Sequence, residues 1–131
     1  MGRIREVNRS GYLLDTHVLL WSLNGDPRLS PHHFHIIEAG ENLTVSVVSI
    51  WEIAIKRSLG KLTTEGDVLA NIRSRPIRIL RVDETHAVGT EVLPLHHRDP
   101  FDRLLISQAR QEGLTIVTSD RRFADYDVEL A

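Results

Sequence analysis

Four acidic residues stand where apolar runs give way to helical pattern. Asp15 follows the run YLL, and Glu52 lies in the first turn of a helix expected after LTVSV. Asp102 lies in the first turn of a helix opening at Asp99-Pro100, and Asp120 follows IVTS. If the apolar runs are parallel strands, all four acids project toward one sheet edge, the carboxyl end, where open α/β sheets carry their ligands. Clustered carboxylates repel one another and are costly to desolvate, so such a group persists mainly when a cation neutralises it or when the acids share protons. The chain has no Cys, which leaves an all-oxygen donor set that selects a hard ion, Mg²⁺ or Mn²⁺. Such an ion retains waters and bridges to phosphate, the equipment for hydrolysing a phosphodiester bond.

Each acid taken singly also has a purely structural explanation. Ser49-Ile-Trp-Glu52 has the spacing of a capping box with Ser49 as N-cap, and Asp99-Pro-Phe-Asp102 repeats it with Pro100 at N1. Asp120 is placed to cap a last short helix. Asp83 sits at the same kind of junction and is assigned to capping alone. The convergence of the four therefore leaves both readings open on spacing alone.

The elements that must position these acids are legible from periodicity and punctuation. Strands are expected at Tyr12 to Asp15, Leu43 to Val47, Ile77 to Val82 and Leu114 to Thr118. Helices are expected around Val18 to Leu23, Pro31 to Ala39, Ser49 to Leu59, Glu65 to Ser74, Asp83 to Leu93 and Pro100 to Gly113, with PLHHR as a loop. Strands alternating with helices predict an α/β sandwich on a central, mostly parallel sheet of four to five strands. Residues 1–11, with Arg3, Arg5 and Arg9 and little apolar pattern, read as a loose leader before one domain spanning 12–131.

Composition bounds the setting. With 131 residues, 41% of them hydrophobic and 26% charged, the chain suits one folded domain rather than a disordered one. The absence of Cys excludes a disulfide scaffold, a thiolate metal site and a Cys nucleophile. No run approaches the length of a membrane helix, and MGRIREVNRSG lacks the apolar stretch of a signal peptide, so a soluble, cytoplasmic protein with no membrane partner is expected. A net charge of -2 requires any nucleic acid to be held by a local basic patch or through a bound cation.

The wording of the motifs is more specific than their spacing. YLLDTHVLLW at 12–21, SVVSIWEIAIKRSLGKL at 46–62, HRDPFDRLLISQA at 97–109 and IVTSDRRF at 116–123 resemble, in order and spacing, the motifs of VapC-like PIN-domain toxins, and the match runs from residue 12 onward. The resemblance implies a PIN-like α/β/α sandwich and an Mg²⁺- or Mn²⁺-dependent endoribonuclease, the toxin of a toxin-antitoxin pair. It implies Asp15, Glu52, Asp102 and Asp120 as catalytic, metal-binding acids and Asp99 as an accessory acid. Asp15 and Asp102 would be the core ligands, water would be the nucleophile, and the products would carry a 5′-phosphate and a 3′-hydroxyl. It further implies an RNA substrate, a homodimer and inhibition by a cognate antitoxin protein. The leader is longer than the family's usual start, and Asp120 stands where many members have another polar residue.

The remaining candidates are weighed against plainer roles. Seven His residues include His32, His33, His35 and the pair His96 and His97, but none forms an i,i+4 pair and no Cys completes a site, so a His-ligated metal is not expected. His17, beside Asp15, and Arg121 and Arg122, beside Asp120, are the expected substrate contacts. Lys56, Arg57, Lys61, Arg73, Arg75, Arg78 and Arg81 fit a solvated surface better than an RNA track. Trp21 and Trp51 are expected as core residues or partner-binding anchors rather than base-stacking platforms. Two rival functions fit the residues less well. A haloacid-dehalogenase-type phosphatase needs a second Asp where His17 stands, and a catalytically silent RNA- or protein-binding module would be expected to have lost the four acids.

Overall fold

The computed structural model describes residues 11–64 and 66–131. The sequence reading of a leader therefore falls mostly outside the described residues. Gly11, its last residue, belongs to the fold: it is buried, its carbonyl accepts the Thr115 amide at 3.0 Å, and its φ is +91°. A Cβ there would meet the Asn42 carbonyl at 2.3 Å, so only glycine fits both the space and the backbone angle.

Four strands, β1 (Tyr12–Leu14), β2 (Leu43–Ser46), β3 (Ile77–Leu80) and β4 (Thr115–Val117), form one sheet in the order β3-β2-β1-β4. Every pairing is parallel, with Leu13 opposite Thr44 on one side and Ile116 on the other. Leu130 adds an isolated parallel bridge to Ile116 at the outer side of β4. Among the described residues six α-helices fill the connections: α1 (Thr16–Asn24), α2 (Pro31–Ala39), α3 (Val47–Ser58), α4 (Val68–Arg73), α5 (Glu84–Gly89) and α6 (Pro100–Glu112). Short 3₁₀ turns occupy Thr90–Val92 and Arg121–Asp125. The fold is the expected α/β sandwich.

Strand alternation divides the core into two layers. Leu13 and Ile116 pack with Leu105, Ile106 and Ala109 of α6 and with Phe123. Their strand neighbours Leu14 and Val117 pack with Val45, with Val18 and Leu19 of α1, with Ile53 of α3 and with Ile72 of α4. Full burial of a Leu or Ile side chain stabilises by roughly 1.5–3 kcal/mol, so these two layers anchor the sheet edge against the repulsion of acids placed there.

Most departures from the sequence reading are shifts of helix ends. Helix α1 begins at Thr16, capped by Asp15, because the Asp15 carboxylate captures the Val18 amide. The helix expected from Glu65 is α4, starting at Val68 behind the Asp67 cap; residue 65 itself is not described. The helix expected from Asp83 to Leu93 ends at Gly89 and continues only as a 3₁₀ turn. One expected cap is wrong. Helix α3 is capped by Ser46, whose side chain accepts the Val48 amide at 3.0 Å, so Ser49 lies inside the helix and makes no capping box with Glu52. Asp99 does cap α6, accepting the amides of Phe101 and Asp102, and Gly113 ends it at φ 69°.

Candidate metal centre

The chain order of the strands locates the site. From β1 the chain steps outward to β2 and β3, then returns to place β4 on the other side of β1. At such a reversal the connections leave a crevice beyond the carboxyl ends of the strands. Asp15 follows β1 and Asp120 follows β4 across this crevice, and together with His17, Trp21 and Ser119 they line a cavity of 240 Å³.

Asp15 is 4% exposed. One carboxylate oxygen accepts the Val18 amide at 2.8 Å and the other accepts the hydroxyl of Thr118. Burial pushes its carboxyl above the ordinary range, against the pull of these hydrogen bonds, and the charge of Asp120 adds to the rise. No Lys or Arg pairs with Asp15 among the described residues.

Glu52, 6% exposed, points from α3 to α1. Its Oε1 accepts the Thr16 hydroxyl at 2.7 Å, its Oε2 pairs with Lys56 at 3.0 Å, and Ser49 Oγ lies 2.9 Å from the same Thr16 oxygen. The side chain that looked like half of a capping box is instead held from the far side of the crevice.

Asp102, in the first turn of α6, sits 3.3 Å from His97 Nε2 and 3.8 Å from Arg122 Nη2. Burial, then the charges of Asp99 and Glu52, push its carboxyl up to about 6, against the pull of His97. Asp120 behaves oppositely. The Arg122 side chain forks onto it, with Nη2 at 2.7 Å and Nε at 3.1 Å, and holds it below the usual carboxylate range. The structure thus brings all four acids into one field, with Asp99 at its margin: Asp15 feels Asp120, while Asp102 feels Asp99 and Glu52.

Each carboxylate is nevertheless tied to its own partner. The one trio of His and acid side chains whose ligand atoms all lie within 4.8 Å, among the described residues, is Asp83, His86 and Glu112. It is a poor metal site. His86 Nδ1 receives the Asp83 backbone amide at 3.1 Å in a capping box, so that nitrogen carries no proton; the proton is then on Nε2, which donates to Glu112 at 2.9 Å. Neither nitrogen is free to ligate. The crevice acids fit a divalent ion better: they offer oxygen only, and Asp15 is a buried carboxylate with no Lys or Arg partner among the described residues.

His17 is exposed and lines the crevice, Arg121 is exposed, and Arg122 is engaged with the acids. Trp51 is not a core residue: it is 58% exposed and packs edge-on against Phe101 at 5.3 Å. Trp21 is half-buried, with the Arg28 guanidinium 5.4 Å over its ring. Sequence reasoning missed Thr16, Thr118 and His97. Thr118 Oγ1 also accepts the Asp120 amide at 3.0 Å, so one hydroxyl ties two of the acids together. His97 is positioned through Nδ1 by the Tyr126 hydroxyl at 2.9 Å, which Arg103 also contacts at 3.2 Å. The only sequence signal for His97 was its place in HRDPFD, five residues before Asp102.

Known proteins resemble this chain in sequence and in fold. The chain is 29% identical over 117 residues to ribonuclease VapC22 of Mycobacterium tuberculosis, a match covering 87% of this chain and 90% of that one. Its fold is similar to VapBC2 from Rickettsia felis, solved bound to a DNA fragment from their promoter, with TM-score 0.69 and 18% identity over 92% of this chain and 97% of that one. It is also similar to a toxin-antitoxin complex from Klebsiella pneumoniae, with TM-score 0.60 and 15% identity over 86% and 90%. The PIN domain model matches residues 12–129, nearly the whole described chain, and the protein therefore belongs to the PIN domain family.

Proposed function

We propose that this protein is a divalent-metal-dependent endoribonuclease acting as the toxin of a toxin-antitoxin pair. The observation that carries the reading is Asp15: a carboxylate buried at the switch point of a parallel sheet, facing Asp120, with Asp102 and Glu52 nearby and no Lys or Arg paired with it among the described residues. The relatives named ribonuclease and toxin-antitoxin complex support it.

Asp15 and Asp102 would hold an Mg²⁺ or Mn²⁺ ion, with Glu52 and Asp120 completing the set or orienting water. A bound divalent ion supplies acidified water and neutralises charge on the phosphate. The chain's own residues do the positioning. Thr118 and the Val18 amide aim Asp15, Thr16 aims Glu52, and His97 with Tyr126 aims Asp102. Asp99 stabilises the helix end that carries Asp102. Exposed His17 and Arg121 would meet RNA phosphates, with Arg122 available once it leaves Asp120.

In this reading the protein works in the cytoplasm as a homodimer and is silenced by a cognate antitoxin; Trp51 and Trp21 offer apolar anchors for protein partners. No helix among the described residues is long and apolar enough to cross a membrane. Purified protein incubated with total RNA should cleave it with Mg²⁺ or Mn²⁺ and fail with EDTA. Expression of the chain alone should arrest bacterial growth, with Asp15→Asn or Asp102→Asn abolishing the arrest. Cleavage that persists in EDTA, or arrest that persists in both variants, would refute the reading.

A further inference from the structure

Arg122 is the one Lys or Arg among the described residues that pairs with two of the four crevice acids. Its fork is encoded locally. The Arg122 amide donates to Asp120 Oδ1 at 2.9 Å, Nε lies 3.1 and 3.2 Å from the two carboxylate oxygens, and Nη2 lies 2.7 Å from Oδ2. The sequence Asp26-Pro27-Arg28 builds the same fork, with 2.8 Å for the amide, 3.1 and 3.2 Å for Nε and 2.7 Å for Nη2. That second fork involves no other acid, so the Asp-X-Arg turn needs no acid cluster to form. What differs at Asp120 is the setting: Arg122 Nη2 also lies 3.8 Å from Asp102 Oδ2.

A guanidinium keeps its proton near neutral pH and matches a carboxylate through two parallel hydrogen bonds. Arg122 therefore places a permanent positive charge on the Asp120 side of the crevice. Among the described residues, no Lys or Arg pairs with Asp15. A divalent ion ligated by Asp15 and Asp102 need not displace the fork, whereas an ion at Asp120 competes with it for the same oxygens. The Arg122 side chain is 56% exposed, and exposed ion pairs are weakly held, so the fork can open without disturbing the core.

We infer that Arg122 stands in for a second divalent cation: the chain binds one such ion at the Asp15 side, and a second binds at Asp120 only when Arg122 is withdrawn. This rests on the divalent-metal reading of the acids. It assigns Arg122 a positioning role that limits how many ions the site takes, beyond any contact with substrate.

The test is a Mn²⁺ titration of the full chain without RNA, with free Mn²⁺ followed by electron paramagnetic resonance and fold checked by circular dichroism. Wild type should bind one Mn²⁺ per chain before a much weaker second. Arg122→Gln should bind two, the second tightened by about tenfold, the order set by removing a surface ion pair and its charge. Arg28→Gln, which breaks the matching fork outside the crevice, should stay at one, and Arg122→Gln combined with Asp120→Asn should return to one. Two comparable sites in wild type, one unchanged site in Arg122→Gln, or an equal gain in Arg28→Gln would each overturn the inference while leaving the metal reading intact. Wild type and variants that all fail to bind Mn²⁺ would overturn the metal reading and the inference with it.

Discussion

Thr118 donates its hydroxyl to the buried Asp15 carboxylate across 103 residues of chain. The same oxygen accepts the Asp120 amide. Strand β4 thus ends by orienting the acid that follows β1 and the acid that follows itself, and the parallel register of Leu14 with Val117 makes this possible.

Thr118→Val should expose the importance of this hydroxyl. The variant keeps shape and β-branching but leaves a buried carboxylate oxygen and the Asp120 amide without a partner, a loss of about 1–3 kcal/mol. Thr118→Ser should retain most of the stability. Urea denaturation of the three proteins checks this, and a Val variant as stable as wild type would show that the hydroxyl does not hold Asp15.

Asp102 predicts a pH-dependent stability in metal-free protein. Its carboxyl is raised from an ordinary 3.8 to about 6, so between these values the folded state binds more protons than the unfolded state. Stability therefore falls as pH rises from about 4 to about 6 and levels off above. The raised Asp15 acts in the same direction, whereas the lowered Asp120 acts only at more acid pH. Asp102→Asn should flatten the slope in denaturation series with EDTA at pH 4 to 7; an unchanged slope would assign it elsewhere.

Glu52→Gln separates structural from chemical use of that side chain. The amide oxygen still accepts the Thr16 hydroxyl, and the lost Lys56 pair is an i,i+4 interaction worth roughly 0.3–0.5 kcal/mol. The variant should melt close to wild type and cleave RNA at least about a hundredfold more slowly, since a divalent ion needs the charge. Full activity would remove Glu52 from the metal set.

Divalent ions should stabilise wild type by mass action, about 2.7 kcal/mol at a hundredfold excess over Kd. Without metal, Asp15→Asn relieves repulsion in the cluster and should melt at or above the wild-type temperature. With Mg²⁺ or Mn²⁺ the wild type should gain and the variant should not. Equal stabilisation of both in thermal melts would show that Asp15 is not a ligand.

What lay in the sequence by itself was everything encoded over a few neighbouring residues. Apolar alternation marked four strands, Asp99-Pro100 and Gly113 marked the ends of α6, and Asp15 and Asp120 could be placed at strand ends. Those signals are local because capping and pleating are local. Ser46 rather than Ser49 caps α3 because a serine cap is chosen by where β2 must stop against β1 and β3, a tertiary matter.

Only the fold decided the distant partners that hold the acids and their supports. Thr16 reaches Glu52 across 36 residues and Tyr126 reaches His97 across 29. No spacing along the chain announces such pairs, because they depend on the order β3-β2-β1-β4 that sets Asp15 between α3 and β4. The same order brings Asp102 beside the Arg122 fork, since a locally built fork carries different consequences at Asp26 and beside Asp102. Residue type is written in the chain, but charge compensation depends on which groups the tertiary structure brings within a few ångströms.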